Sequence, residues 1–189
     1  MRPSAHFYSG LIFWFILFVL NLSNLEYDLI FFITPVIILD LDYLGKFIFI
    51  EQNHRKYLTH SPTLWFVFLV GTYLIQFKIL FWISLGFLFH VIIDIIDWGI
   101  FLIPIKNIKQ TPHLLKVNKF MKTEKDFSIV YWNNKSILIL ELTLFLISVF
   151  ILIFLTIIDT NIFLLIYIII LFLSTTFLSF FEYKTAKIS

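Results

Sequence analysis

Six long apolar runs constrain the fold of this chain more than any other feature of its sequence. They cover residues 8–22, 29–50, 62–77, 79–104, 137–158 and 161–181. A helix needs about 20 apolar residues, within a range of about 17–25, to cross the hydrocarbon core of a bilayer. The last two runs meet this length plainly, the first and third are short, and Pro35 interrupts the second. We therefore predict an all-α polytopic membrane protein, a single helical bundle of about six transmembrane spans.

The composition favours the same class of protein. The 189 residues are 60% hydrophobic and 20% aromatic, with a mean hydropathy of +0.97. A soluble domain of this size cannot bury so much apolar surface in one core. The absence of cysteine excludes disulfides, thiolate nucleophiles and cysteine-ligated zinc. No basic–aromatic pattern indicates nucleic acid, so the bilayer is the first predicted partner, and the oligomeric state is not readable.

Lysine and arginine predict the orientation of the bundle. With both termini on one side, thirteen of the fourteen basic residues fall on that side, and only Lys78 falls on the other. Cytoplasmic loops carry such an excess of positive charge. We predict an integral protein of the cell membrane with both termini cytoplasmic and the first run retained as an anchor. Residues 105–136 form a basic cytoplasmic loop held near anionic lipid, with a surface helix as the alternative, and residues 137–181 form two C-terminal spans.

Ionisable residues at bilayer depth indicate a functional site. A charge at mid-bilayer costs roughly 2.5–3.5 kcal/mol, so such residues face a protein interior and are functional by default. The charge bias places one group of acids and histidines at a common cytoplasmic depth, with His6 just before span one. The group comprises His6, Asp40, Asp42, His54, His60, His90, Asp94, Asp97 and Glu141. Imidazole and carboxylate are ligands of divalent metals, so we predict a metal site there.

Two spacings refine this prediction. His90, Asp94 and Asp97 follow i, i+4, i+7 spacing, which places them on one helix face. Asp40 and Asp42 are two residues apart, so the second span must end or unwind there for both to reach one site. The alternative is that these groups only hydrogen-bond to one another or to neighbouring helices.

The segment 54–62 adds an anion-binding pattern. It contains two imidazoles, His54 and His60, with Arg55 between them and a helix start after them. A helix N-terminus and a guanidinium both favour anions, so a phosphate group fits beside a metal here. The alternative is that Thr59 or Ser61 caps the helix and Arg55 anchors to lipid headgroups.

Four short blocks occur in order within residues 1–106. They are AHFYSG with His6, LDLDYLG with Asp40 and Asp42, HRKYLTHS with His54 and His60, and GFLFHVIIDIIDWGIFLIP with His90 and Asp94. The ordered set resembles the YdjM-like family of membrane-bound, metal-dependent hydrolases, an inner-membrane group with a largely unassigned activity. The chain departs from the family pattern at Lys56, where a glycine is usual, and at Tyr43, where a histidine is common. The spacing from His54 to His60 is also one residue longer.

The resemblance implies metal-dependent hydrolysis, and the location at the membrane boundary favours a phosphoester of a lipid or lipid-linked substrate. One or two divalent ions, zinc first and manganese or magnesium as alternatives, would activate water there. The predicted metal ligands are His6, Asp42, His54, His60, His90 and Asp94. Asp40 or Asp97 would act as general base or orient an imidazole, and Arg55 would hold the substrate's anion.

Two other classes of protein stay open. Intramembrane aspartate and histidine also form metal or proton pathways in transporters and channels. A non-catalytic scaffold could use a metal for stability alone, with every coordination position filled by protein.

Overall fold

The computed structural model describes residues 3–24, 27–39, 60–94, 131–158 and 161–188. These residues are helical and contain no strand, which confirms the all-α prediction for the described part of the chain. The helices are α1 (Pro3–Val19), α2 (Tyr27–Ile38), α3 (Pro62–Leu74), α4 (Lys78–Ile93), α5 (Lys135–Ile158) and α6 (Ile162–Ile188). A short helical turn over residues 131–133 precedes α5.

The two C-terminal helices are the longest. Within the described ranges, α5 and the part of α6 from Ile162 to Phe181 are long and apolar enough to cross a membrane. At 1.5 Å per residue α5 is about 36 Å long, against about 30 Å for the hydrocarbon core. The other four helices are shorter, and α3 extends over only about 20 Å.

Helix α1 is the centre of the bundle. It contacts α2, α4, α5 and α6, whereas α3 packs mainly on α4. A helix that is apolar on all sides belongs in an interior, and α1 is such a helix. Its buried side chains join one core with residues of the four surrounding helices. The core includes Phe7, Leu11, Trp14, Leu29, Phe32, Ile33, Val36, Trp82, Ile151, Leu155, Leu164 and Ile168.

Helices α2 and α4 approach each other closely at Gly86. A Cβ atom on Gly86 would lie 2.3 Å from the carbonyl oxygen of Phe32 and 3.1 Å from Cβ of Pro35. Only a residue without a side chain allows the α4 backbone to come this near to the α2 backbone. The close approach fixes the position of α4 along α2, and His90 of α4 lies one turn beyond Gly86, as Val36 of α2 does beyond Phe32.

The chain direction alternates, so the starts of α1, α3 and α5 meet the ends of α2, α4 and α6. We call this the histidine end, because His6, His60 and His90 lie there. At the opposite end Asp28 accepts a hydrogen bond from the backbone N–H of Asn24 at 2.8 Å. Its carboxylate also pairs with Lys78 at 3.1 Å, so the basic residue that the sequence placed at this end has a buried acid as its partner.

Two helix starts differ from the sequence prediction. His6 was predicted to precede the first span, but α1 begins at Pro3, because proline suits the first turn of a helix. Lys135 was predicted to lie in the basic loop, but it is the first residue of α5. Asn134 explains this start, since its side-chain oxygen accepts the N–H of Ser136 at 3.0 Å and caps the helix.

Candidate metal centre

The structure brings together His6 from α1 with His90 and Asp94 from the end of α4. All three are fully buried. His6 Nε2 lies 3.2 Å from Asp94 Oδ1, at hydrogen-bonding distance, and His90 Nε2 lies 3.7 Å from Asp94 Oδ2. One potential ligand atom from each residue lies within 4.8 Å of the other two. This group of three could hold a metal ion.

The position of Asp94 is determined by the end of α4. Asp94 is the C-cap residue with φ −60° and ψ −17°, so it continues the helical path and keeps the i, i+4 relation to His90. A carboxylate at a helix C-terminus faces the negative end of the helix dipole, which is unfavourable. Asp94 therefore does not serve the stability of α4, and its charge requires cationic or hydrogen-bonding neighbours.

The orientation of His90 is set by α2. The carbonyl of Val36 lies in the last turn of α2, which ends at Ile38, and the last four carbonyls of a helix generally lack a donor within their own helix. His90 Nδ1 lies 2.7 Å from this oxygen. A carbonyl only accepts, so Nδ1 carries a proton, and in the neutral ring Nε2 then keeps its lone pair on the side of Asp94. A metal-binding histidine is oriented in the same way, by donating its other ring N–H to a carbonyl or carboxylate.

A third imidazole lies beside the group. The rings of His6 and His90 stack at 4.0 Å with an interplanar angle of 17°. His60, buried at the start of α3, presents its ring to that of His90 at 5.6 Å, edge to face. Three imidazoles and one carboxylate from α1, α4 and the start of α3 therefore share one buried region.

The distances suit a divalent ion. Ligand atoms about 2.1 Å from a tetrahedral zinc ion lie about 3.4 Å from one another. His6 Nε2 lies 3.2 Å from Oδ1 of Asp94 and His90 Nε2 lies 3.7 Å from Oδ2, so each imidazole is near this separation from one of the two carboxylate oxygens. Imidazole nitrogen and carboxylate oxygen are also the donors that zinc and other divalent transition metals take in proteins. The residues present therefore fit a metal, and they do not identify which one.

Five of the other predicted site residues lie outside the described part of the chain. They are Asp40, Asp42, His54, Arg55 and Asp97. Ser61 occupies the N-cap position of α3, and its hydroxyl makes no capping hydrogen bond. Thr59, the other residue of that alternative, lies outside the described residues. Pro62 at the first helical position starts α3 instead.

Glu141 belongs to a separate polar network at the histidine end. Tyr131 donates its hydroxyl to Glu141 Oε1 at 2.5 Å, and Ser4 donates to Oε2 at 3.3 Å. Ser179 donates in turn to the Ser4 hydroxyl at 2.6 Å. Sequence reasoning placed Glu141 at the same end as the histidines and missed its two partners, Tyr131 and Ser4, and the Ser179 hydroxyl that donates to Ser4. Hydroxyl residues near the same end of other apolar runs are the signal that would have indicated them.

No protein-family model, curated protein or solved structure matches this chain. The resemblance to the YdjM-like hydrolases therefore stays a prediction. The geometry of His6, His90 and Asp94 is the basis on which a function can be argued.

Proposed function

We propose that this protein is a membrane-embedded, metal-dependent hydrolase that acts on a phosphoester of a lipid or lipid-linked substrate at the cytoplasmic boundary. The observation that carries the proposal is the convergence of His6, His90 and Asp94, fully buried, from two helices. Residues this costly to bury in an apolar bundle require a compensating function or partner. The four blocks of the YdjM-like resemblance include all three.

The surface of the two long helices supports the membrane location. Along α5, large apolar side chains recur every three or four residues on a face that no other described helix covers: Ile139, Leu142, Leu146, Phe150, Ile153 and Ile157. On α6, Phe163, Ile166, Ile170, Leu173 and Phe177 do the same. Ile157 is 77% exposed and Phe163 is 83% exposed. In water such continuous stripes would drive aggregation, whereas in a bilayer they face lipid.

The alternation of the helices supports six spans with both termini on one side of the membrane, and the distribution of lysine and arginine favours the cytoplasmic side. Starts and ends of successive helices meet at the histidine end, as an up-and-down arrangement requires. The shorter helices cross the bilayer together with flanking residues or by local thinning of the bilayer. His60 is buried beside His90 at the start of α3, at the end of the bundle that we propose lies at the membrane boundary. An amphiphilic substrate reaches such a site more directly than a soluble one.

The roles of the residues follow from their chemistry. His6, His90 and Asp94 would hold a divalent ion, with His60 and Asp42 available to complete its ligands. When bound, such an ion supplies Lewis acidity and lowers the pKa of a coordinated water. The carbonyl of Val36 accepts a hydrogen bond from His90 Nδ1 and so holds the ring with Nε2 on the side of Asp94, where an ion would bind. Asp40 or Asp97 would accept a proton, and Arg55 would bind the phosphate group.

The core between the two ends favours an enzyme over a transporter. The polar groups of the candidate site lie at the histidine end, and the Asp28–Lys78 pair lies at the other. In the described helices, the region between them is filled by the apolar core that includes Leu11, Trp14 and Phe32. A passage for ions would require a continuous polar lining.

Hydrolysis and flux measurements separate these two functions. We expect purified full-length protein with zinc, manganese or magnesium to release phosphate or an alcohol from at least one member of a phospholipid and polyprenyl-phosphate panel. Reconstituted vesicles should show no zinc or proton flux above that of protein-free vesicles. Flux that Asp94→Asn abolishes, together with a panel that gives no hydrolysis, would replace the enzyme with a transporter.

Cysteine labelling tests the orientation, since the native chain contains no cysteine. We expect cysteines introduced at Lys116 and Ser189 to be protected from an impermeant thiol reagent in intact cells. A cysteine at Asp159, between α5 and α6, should be labelled because it lies on the outer side in the six-span topology. Labelling at position 116 in intact cells would reverse the orientation and move the site away from the cytoplasm.

A further inference from the structure

We propose that Glu141 is a positioning residue that anchors the first turns of α1 and so holds His6 against Asp94. The inference rests on the metal centre proposed above and adds a requirement for its assembly. Glu141 does not touch the group of three, and its effect would pass through α1.

The contacts of Glu141 join three parts of the chain. Its two carboxylate oxygens accept hydrogen bonds from Tyr131, which precedes α5, and from Ser4 in the first turn of α1. Ser179 of α6 donates to the same Ser4 hydroxyl. Tyr131 and Ser4 donate to Glu141 directly, and Ser179 donates to it through the Ser4 hydroxyl. The carboxylate therefore organises the network, and the start of α1 is tied to both C-terminal helices through Ser4.

Ser4 and His6 lie on opposite sides of α1. They are two residues apart, and at about 100° per residue their side chains point about 200° apart around the helix axis. Ser4 faces α5 and α6, whereas His6 faces Asp94 at the end of α4. The first turns of α1 are thus held between two buried carboxylates, Glu141 on one side and Asp94 on the other.

This anchoring is needed because His6 lies in the first turns of α1, where the helix is held least firmly by its own backbone. The first four N–H groups of a helix have no partner within the helix, and helix ends fray unless other contacts hold them. Here Ser4, Ala5 and His6 are at most 1% exposed. Deep burial at the very start of α1 requires partners for its polar side chains, and Glu141 and Ser179 provide them for Ser4. Removing the carboxylate frees α1 to rotate or shift, which moves His6 away from Asp94.

Zinc affinity of the folded, full-length protein is the first measurement. We expect Glu141→Ala to weaken zinc binding by about 10- to 100-fold, as changes to the groups that orient metal ligands do. Tyr131→Phe and Ser4→Ala, which each remove one hydroxyl, should give smaller losses. Glu141→Gln should recover most of the affinity, because its amide can accept from Tyr131 and donate to Ser4. Thr143→Val, on the exposed side of the same helix, is the matched control and should bind zinc normally.

A metal-free measurement tests the displacement of α1 directly. Ala5→Cys places a thiol at a fully buried position between Ser4 and His6, and Ser148→Cys places one at a fully buried position of α5. We compare each cysteine variant with and without Glu141→Ala. We expect the added substitution to make maleimide label position 5 at least about tenfold faster and to leave the labelling rate of position 148 unchanged. Faster labelling at both positions would mean that the whole bundle has loosened and would overturn the positioning role of Glu141.

Two further outcomes are decisive. If Glu141→Ala and Tyr131→Phe leave both zinc affinity and labelling of position 5 unchanged, Glu141 does not position His6. If the native protein binds no zinc, manganese or magnesium, the proposed function fails. The labelling of position 5 then still decides whether Glu141 holds α1 in place.

Discussion

Asp94→Asn is expected to abolish metal binding and hydrolysis while leaving the helical bundle folded. The substitution keeps the volume of the side chain and allows a hydrogen bond to His6 at the 3.2 Å contact. It removes the negative charge that faces His6 and His90 and leaves a poor ligand at the centre of the group. We expect zinc affinity to fall by more than about 100-fold, since even changes outside the direct ligands cost about 10- to 100-fold. Zinc content by elemental analysis and turnover on the lipid panel are the two measurements.

Asp28→Asn is the matched control for this prediction. Asp28 is also a buried aspartate, but it lies at the opposite end and pairs with Lys78. Its substitution should leave zinc content unchanged, although the loss of the ion pair lowers the thermal stability. His90→Ala should reproduce the Asp94→Asn result, because it removes the second group on the same helix face. Native zinc content in Asp94→Asn would exclude a site built on Asp94.

Gly86→Ala is expected to cause the largest loss of stability among single-methyl additions to the described helices. The new Cβ would lie 2.3 Å from the carbonyl oxygen of Phe32, a backbone atom that cannot rotate away. Helices α2 and α4 must then separate, at a cost of about 3 kcal/mol, near the upper end for overpacked cores. The separation also lengthens the hydrogen bond from His90 to the Val36 carbonyl, so zinc affinity should fall together with the melting temperature.

Gly71→Ala provides the comparison on α3. A Cβ atom at Gly71 meets nothing within 4 Å, so the methyl group causes no clash. Alanine is favoured over glycine in a helix by about 1 kcal/mol, so this variant should melt at the native temperature or slightly higher. The two melting curves are compared in the same detergent by tryptophan fluorescence. Equal melting temperatures for Gly86→Ala and the native protein would refute the close approach of α2 and α4.

Parts of the site were predictable from the sequence because helical periodicity relates residues within one element. The spacing of His90 and Asp94 places them on one face of α4 whatever surrounds the helix. The depth of His6 and His60 followed from the distribution of lysine and arginine, and both residues lie at the histidine end with His90. The all-α class was predictable from the length of the six apolar runs. The start of α5 was missed because the prediction used hydrophobicity and not the cap formed by Asn134.

The helices, the starts of most of them and the placement of His90 and Asp94 on one helix face could be predicted, because they depend on local spacing and on the cost of burying polar groups. The contacts of His6 with Asp94, of Val36 with His90 and of Glu141 with a different network are visible only in the folded bundle. These contacts depend on how far each helix is rotated and shifted against its neighbours. That relation is set by side-chain packing and by close approaches such as the one at Gly86, which link residues far apart in the chain.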